Sequence, residues 1–150
     1  MTKTAEMVID DVYQLLKGDT SNVTDNTDEA NEAIFRISGG VYKDECRPVD
    51  SKSEDIIVAF TTSTAGQIQD GIVTVNIYVP DIDPYNDGTL IKNGARIAEL
   101  ESAASEWVKT LNTKQDDYRF TLYNAIHSNN DTDIHQHFVV IQLRFRRLST

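Results

Sequence analysis

Only one cysteine, Cys46, stands among the 150 residues. No disulfide can form within the chain, and a cysteine-rich zinc site is excluded. Asp44, Glu45 and Asp50 flank that cysteine and offer neither the base nor the electropositive setting a nucleophilic thiol needs, so it reads as structurally incidental. Positive charge is also scarce. Fourteen Lys and Arg stand against 24 Asp and Glu, a formal net charge of −10. Gripping free nucleic acid needs clustered cations, and an anionic membrane surface needs the same, so both partners are disfavoured. No hydrophobic run is long enough to cross a bilayer. No apolar stretch follows basic residues at the N-terminus, so the expected home is a reducing cytoplasm. Phosphate-binding glycine loops and serine elbows are missing too, as are internal repeats.

What is present fits one globular domain over residues 1–150. A hydrophobic fraction of 39% with 25% charged residues lies far from the disordered class and can build a core without staples. Residues 5–16 carry Ala5, Val8, Ile9, Val12, Leu15 and Leu16 at helical spacing, with Thr4 as N-cap and Gly18 as stop. Residues 19–31 read as a polar loop with one helical turn near 28–33. Residues 34–37 look extended, and Gly39-Gly40 marks a bend before Val41-Tyr42.

Residues 54–61 form the next expected strand. It is joined through a flexible connection at 62–71 to a strand at 72–79, whose Val73, Val75, Ile77 and Val79 share one face. Such alternation suits a sheet buried on one face, with the other wet or covered by a partner. Pro80 ends that strand, and residues 81–88 make an acidic turn. A second helix spans 94–111, with an apolar stripe of Ile97, Leu100, Ala104, Trp107, Val108 and Leu111. Strands at 118–126 and 134–148 close the chain, with 127–132 as the loop between them. The predicted fold is α+β: an antiparallel or mixed sheet of about five strands with two helices packed on one face.

Each candidate for chemistry has an ordinary counterpart. His135 and His137 lie two apart on a predicted strand and His127 lies across the hairpin, so a zinc site with an open position is one reading. Solvated hairpin ends carry such residues routinely, and that reading is preferred; no metal or cofactor is expected. The loop Asp81-Ile82-Asp83-Pro84-Tyr85-Asn86-Asp87-Gly88 resembles a calcium loop. It has Asn86 where the turn glycine belongs and Lys92 where the bidentate glutamate belongs. The acidic pairs at 10–11, 28–29, 54–55 and 116–117 are scattered and fit exposed positions. Arg144, Arg146 and Arg147 end an otherwise acidic chain. They fit a solvated edge strand guarded against aggregation, and they fit equally one half of a charge-complementary interface with an acidic neighbour.

Several segments together resemble a known family. They are Val12-Tyr13-Gln14-Leu15-Leu16-Lys17, Gly39-Gly40-Val41-Tyr42-Lys43, Arg47-Pro48, and the stretch from Ser51 through Glu54-Asp55-Ile56-Ile57-Val58. The strand at 71–79, the helix ending Trp107-Val108-Lys109-Thr110-Leu111 and the arginine-rich last strand complete the pattern. Their order is similar to that of the tail terminator (tail completion) proteins of long-tailed bacteriophages and related small minor tail proteins. The stretch from Arg47-Pro48 to Glu54-Asp55 resembles prophage proteins of gut bacteria. The motifs are short, and the loop at 19–31 has no counterpart.

The resemblance implies a virion structural protein: a ring, usually of six subunits, that caps the tail tube and docks to the head–tail connector, with no cofactor and no reaction. A lumen rich in Asp and Glu would repel passing DNA, and Asp81, Asp83 and Asp87 are the first choice for lumen-facing residues. Arg47, Glu54, Asp55, Gln67, Gln69, Arg144 and Arg146 are the expected subunit or partner contacts. For Arg47, Glu54 and Asp55, pairing within the chain is equally compatible. Two other classes compete: a small acidic immunity-type protein masking a basic partner, and a metal-dependent enzyme built on the three histidines.

Overall fold

The structure, a computed structural model, describes residues 1–149. The chain opens with α1 (Ala5–Gly18), whose N-cap Thr4 accepts a hydrogen bond from the Met7 amide at 3.4 Å. Val8, Ile9, Val12 and Leu16 fall on its buried side, and Lys17 sits in the last turn where the helix dipole favours a cation. Next come β1 (Thr20–Asn22), the single turn α2 (Asp28–Asn31) capped by Thr27, β2 (Phe35–Ile37) and β3 (Val41–Lys43). Then follow β4 (Asp55–Ser63), β5 (Ile68–Pro80) and α3 (Gly94–Lys114). The strands β6 (Arg119–Leu122), β7 (His127–Asp131) and β8 (Gln136–Leu148) finish the fold.

The main sheet has six strands in the order β3-β4-β5-β8-β6, with β7 also pairing β8 beyond the end of β6. It is mixed: β3 runs parallel to β4, and the other pairs are antiparallel. The expected long hairpin is present as β4–β5, with a register shift between Phe60 and Thr62. β1 and β2 form a separate parallel pair.

One hydrophobic cluster joins both long helices to one face of the sheet. It takes Val8, Val12 and Leu16 from α1, Ile97, Leu100, Trp107 and Leu111 from α3, and Ile56 and Val58 from β4. From β5 and β8 it takes only odd-numbered residues, Val73 to Val79 and Val139 to Phe145. Period-2 alternation therefore places both helices on the same face. The other face has no helix over it. Two glycines lie where chains touch closely. A Cβ on Gly39 would strike the Asp55 carboxylate and the Glu54 carbonyl, and one on Gly71 would strike the Thr62 carbonyl and the Phe145 ring.

Three expectations need correction. Residues 127–131 are a strand, β7, where a loop was expected, and the preceding strand is cut to Arg119–Leu122. His-Ser-Asn-Asn-Asp shows no apolar alternation because neither side of this edge strand is packed against a helix; its place is set by backbone pairing with β8. Residues 20–22 pair with β2 inside the expected polar loop, placed by backbone bonds rather than by apolar alternation. Finally, β8 is an interior strand between β5 and the β6/β7 edge, so its arginines do not guard an edge.

Candidate interaction surface

The face left free by the helices carries the even-numbered residues of β5 and β8. Along β5 these are Ile68, Asp70, Ile72, Thr74, Asn76 and Tyr78; opposite them on β8 lie Leu148 to Phe138 in register. Ile57 and Ala59 extend the face across β4. Tyr78 and Phe138 lie ring against ring with centroids 5.0 Å apart. The face is thus partly apolar at its centre and charged toward one end.

At the end where β5 finishes and β8 begins, the loop at 44–54 folds over the sheet and is fastened by Arg47. Its Nε donates to Asp55 Oδ2 at 2.8 Å, and its Nη2 donates to Gln136 Oε1 at 2.8 Å and to the Ser53 carbonyl at 3.1 Å. Ser51 Oγ donates to the same Asp55 oxygen at 2.6 Å, while the Gly40 amide donates to the other at 3.0 Å. The guanidinium lies 4.3 Å from the Tyr78 ring centroid. Burial raises the Tyr78 phenol above its ordinary pKa, and the nearby Asp131 adds to this. Asp55 is 1% exposed and satisfied on both oxygens. Glu54 is held by Arg96 of α3 through two bonds of 2.7 and 2.9 Å. Arg47, Glu54 and Asp55 therefore make their ion pairs within the chain.

The opposite end holds the remaining expected contacts. Gln67 is exposed in the β4–β5 turn. Gln69 is buried; its amide accepts from the Lys3 backbone N–H at 3.0 Å and donates to the Lys3 carbonyl at 2.8 Å. It ties down the N-terminal residues and presents no surface. Arg144 grips Asp70 with two bonds of 3.1 and 2.8 Å, and Arg146 reaches the same carboxylate at 3.4 Å. The Arg144 contact holds the Asp70 carboxyl below its ordinary pKa. Arg147, on the helix side, bonds to Asp117, Gln69 and the Met1 carbonyl.

Beside it, Tyr118 Oη donates to Asp11 at 2.6 Å, and Lys3 bridges Asp11 and Asp117 at 2.6 and 2.8 Å. Burial, then the Asp11 bond, raises the Tyr118 phenol far above its ordinary pKa.

The acidic loop is largely occupied with itself. Asp81 bonds to His137 Nδ1 at 2.6 Å, Asp83 accepts from the amides of Asp87 and Gly88, and Asp87 accepts from Thr89. The histidines do not converge. His137 faces the helix side with Val139. His127 pairs with Val140 and lies on the opposite side, and His135 sits in the turn with φ of 55°. Among the described residues no group of three or more His, Cys, Asp or Glu could hold a metal ion. The shared-face reading of His135 and His137 fails because β8 begins only at Gln136. Among the described residues no helix is long and apolar enough to cross a membrane.

Two positions that matter here escaped the sequence reading. Arg119 lies directly opposite Arg146 across β6–β8, and Asp70 receives two arginines. Only the strand register reveals either. No protein-family model matches the chain, and no curated protein matches it at a significant level.

Proposed function

We propose that this chain is a non-enzymatic structural subunit that assembles through its uncovered sheet face, at the tail or head–tail junction of a bacteriophage particle. One observation carries the assembly half: a six-stranded sheet with both long helices on one face, leaving an opposite face where half-buried Ile72, Tyr78 and Phe138 stand among polar groups and Ile57 and Val140 are buried beneath them. A sheet face of that composition suits protein contact. The phage half rests on the family resemblance of the sequence. A net charge of −10 supports it, since an acidic passage does not retain DNA.

A surface devoted to masking a basic partner would be acidic throughout. The arginines at 119, 144 and 146 on the free face speak against that alternative. Mass spectrometry and cross-linking of purified particles from a host carrying the gene test the reading. The expected result is this chain at a fixed, low copy number, cross-linked to itself and to a tube or connector protein. Intact particles lacking it would refute the phage assignment.

A further inference from the structure

We propose that copies of this chain associate head to tail, the arginine-bearing end of the free sheet face in one copy docking on the acidic turn at the opposite end of β8 in the next. This rests on the assembly reading above and adds the surfaces that meet.

The first surface is basic and aliphatic. Ile68 and Leu148 are directly opposed across β5–β8 and are 50% and 67% exposed. Beside them stand Arg119, Arg144 and Arg146, with Asp70 the carboxylate that Arg144 and Arg146 share. Arg119 and Arg146 oppose each other across β6–β8, and like charges so placed cost a single chain stability. Edge protection does not account for Arg144 and Arg146, because β8 is interior. Asp117, which borders the patch, is occupied by Lys3 and Arg147.

The second surface is the complement of the first. A hollow of about 540 Å³ at the start of β8 is lined by Arg47, Asp50, Lys52, Asp133, Ile134 and His135, among others, with Arg47 neutralised by Asp55. Among the described residues Asp50, Asp131 and Asp133 form no ion pair closer than the 4 Å limit of a salt bridge. Val49, 90% exposed, and Ile134, 42% exposed, supply aliphatic surface beside them. Carboxylates around aliphatic groups match arginines around aliphatic groups.

Geometry then limits the symmetry. The two surfaces are unlike, and they lie at opposite ends of a 13-residue strand, a separation of about 40 Å. With Arg119, Arg144 and Arg146 against Asp70 and the neighbouring Asp116, the first surface keeps a positive balance and does not pair with itself. A contact between unlike ends gives, when heterologous, a ring where the rotation closes and a filament where it does not; a closed two-fold dimer in which both contacts form at once is the competing arrangement.

The test uses the full chain in two double variants, Arg119→Glu/Arg146→Glu and Asp50→Lys/Asp133→Lys, followed by sedimentation velocity and native mass spectrometry at low and raised salt. The wild type is expected to self-associate, less so in salt. Each variant is expected to weaken association by at least about tenfold. An equimolar mixture of the two should recover it, because every contact in an alternating assembly then pairs acid with base. Far-UV circular dichroism and thermal melting confirm folding, and the single Arg119→Glu variant, which breaks no ion pair of the chain, serves if either double variant does not fold.

A wild type monomeric at every attainable concentration, a wild type that stops at a closed dimer, association indifferent to both reversals, or a folded mixture that fails to recover would each overturn the head-to-tail contact. None of these results touches the particle measurement above, and absence of the chain from particles would leave this contact standing.

Discussion

At the scale of residues, Arg47 shows how one side chain can organise a loop. Its guanidinium meets Asp55, Gln136 and a backbone carbonyl while stacking on Tyr78. Removing it alone leaves a buried carboxylate without its cation. Arg47→Ala is expected to cost about 3 kcal/mol of stability in urea unfolding. Arg47→Met combined with Asp55→Asn should cost less than the sum of the single changes, since neither partner is then left charged alone; a double-mutant cycle measures the difference.

Titration follows the same residues. The carboxyls of Asp70, drawn down by Arg144, and of Asp117, drawn down by Lys3 and Arg147 against opposing burial, both have depressed pKa values in the fold. Their contribution is present in full above the ordinary carboxylate pKa of about 3.9 and is lost as pH falls through the depressed values. Tyr118 has the opposite sign. Its raised pKa favours the neutral phenol in the fold, so its contribution is full below an ordinary phenol pKa of about 10 and declines above it. Thermal melts against pH should show a plateau between these limits with falling stability on both sides. Tyr118→Phe should flatten the alkaline slope.

At the scale of elements, period and burial explain both the successes and the failures of the sequence reading. The helices α1 and α3 and the strands β5 and β8 were legible because each presents a continuous apolar stripe to the core. β7 and β1 were not, because backbone pairing needs no apolar side chain, and alternation reports burial alone. Phe120 and Leu122 share a face of β6, yet Phe120 is buried and Leu122 is 41% exposed at the outer edge of the sheet, a difference the pattern does not encode. The β4–β5 ladder supplies a test of close packing. Gly71→Ala would push a methyl group into the Thr62 carbonyl and the Phe145 ring and is expected to destabilise the fold by about 2 kcal/mol in chemical denaturation.

At the scale of the whole molecule, a single cluster connects both long helices, the sheet and β2. No part of that cluster can open without exposing the rest. Differential scanning calorimetry is expected to show one transition, with calorimetric and van't Hoff enthalpies equal; two separable transitions would show that the β1–β2 region unfolds independently. Charge is not spread as uniformly as composition implies. The net −10 conceals a basic patch at one end of β8, and that polarity is a property of the folded chain.

The sequence alone determined the class of the fold, the two long helices, the buried faces of the central strands and the net acidity. These follow from local period and composition, which act through a few neighbouring residues at a time. Only the tertiary structure decided that β8 is interior, that Glu54 and Asp55 are consumed within the chain, that the three histidines point apart and that Arg119 faces Arg146. Each of those depends on register and on the partner a side chain meets from a distant segment. Pairing across such separations is set by the packing of the core as a whole, and no local pattern carries it.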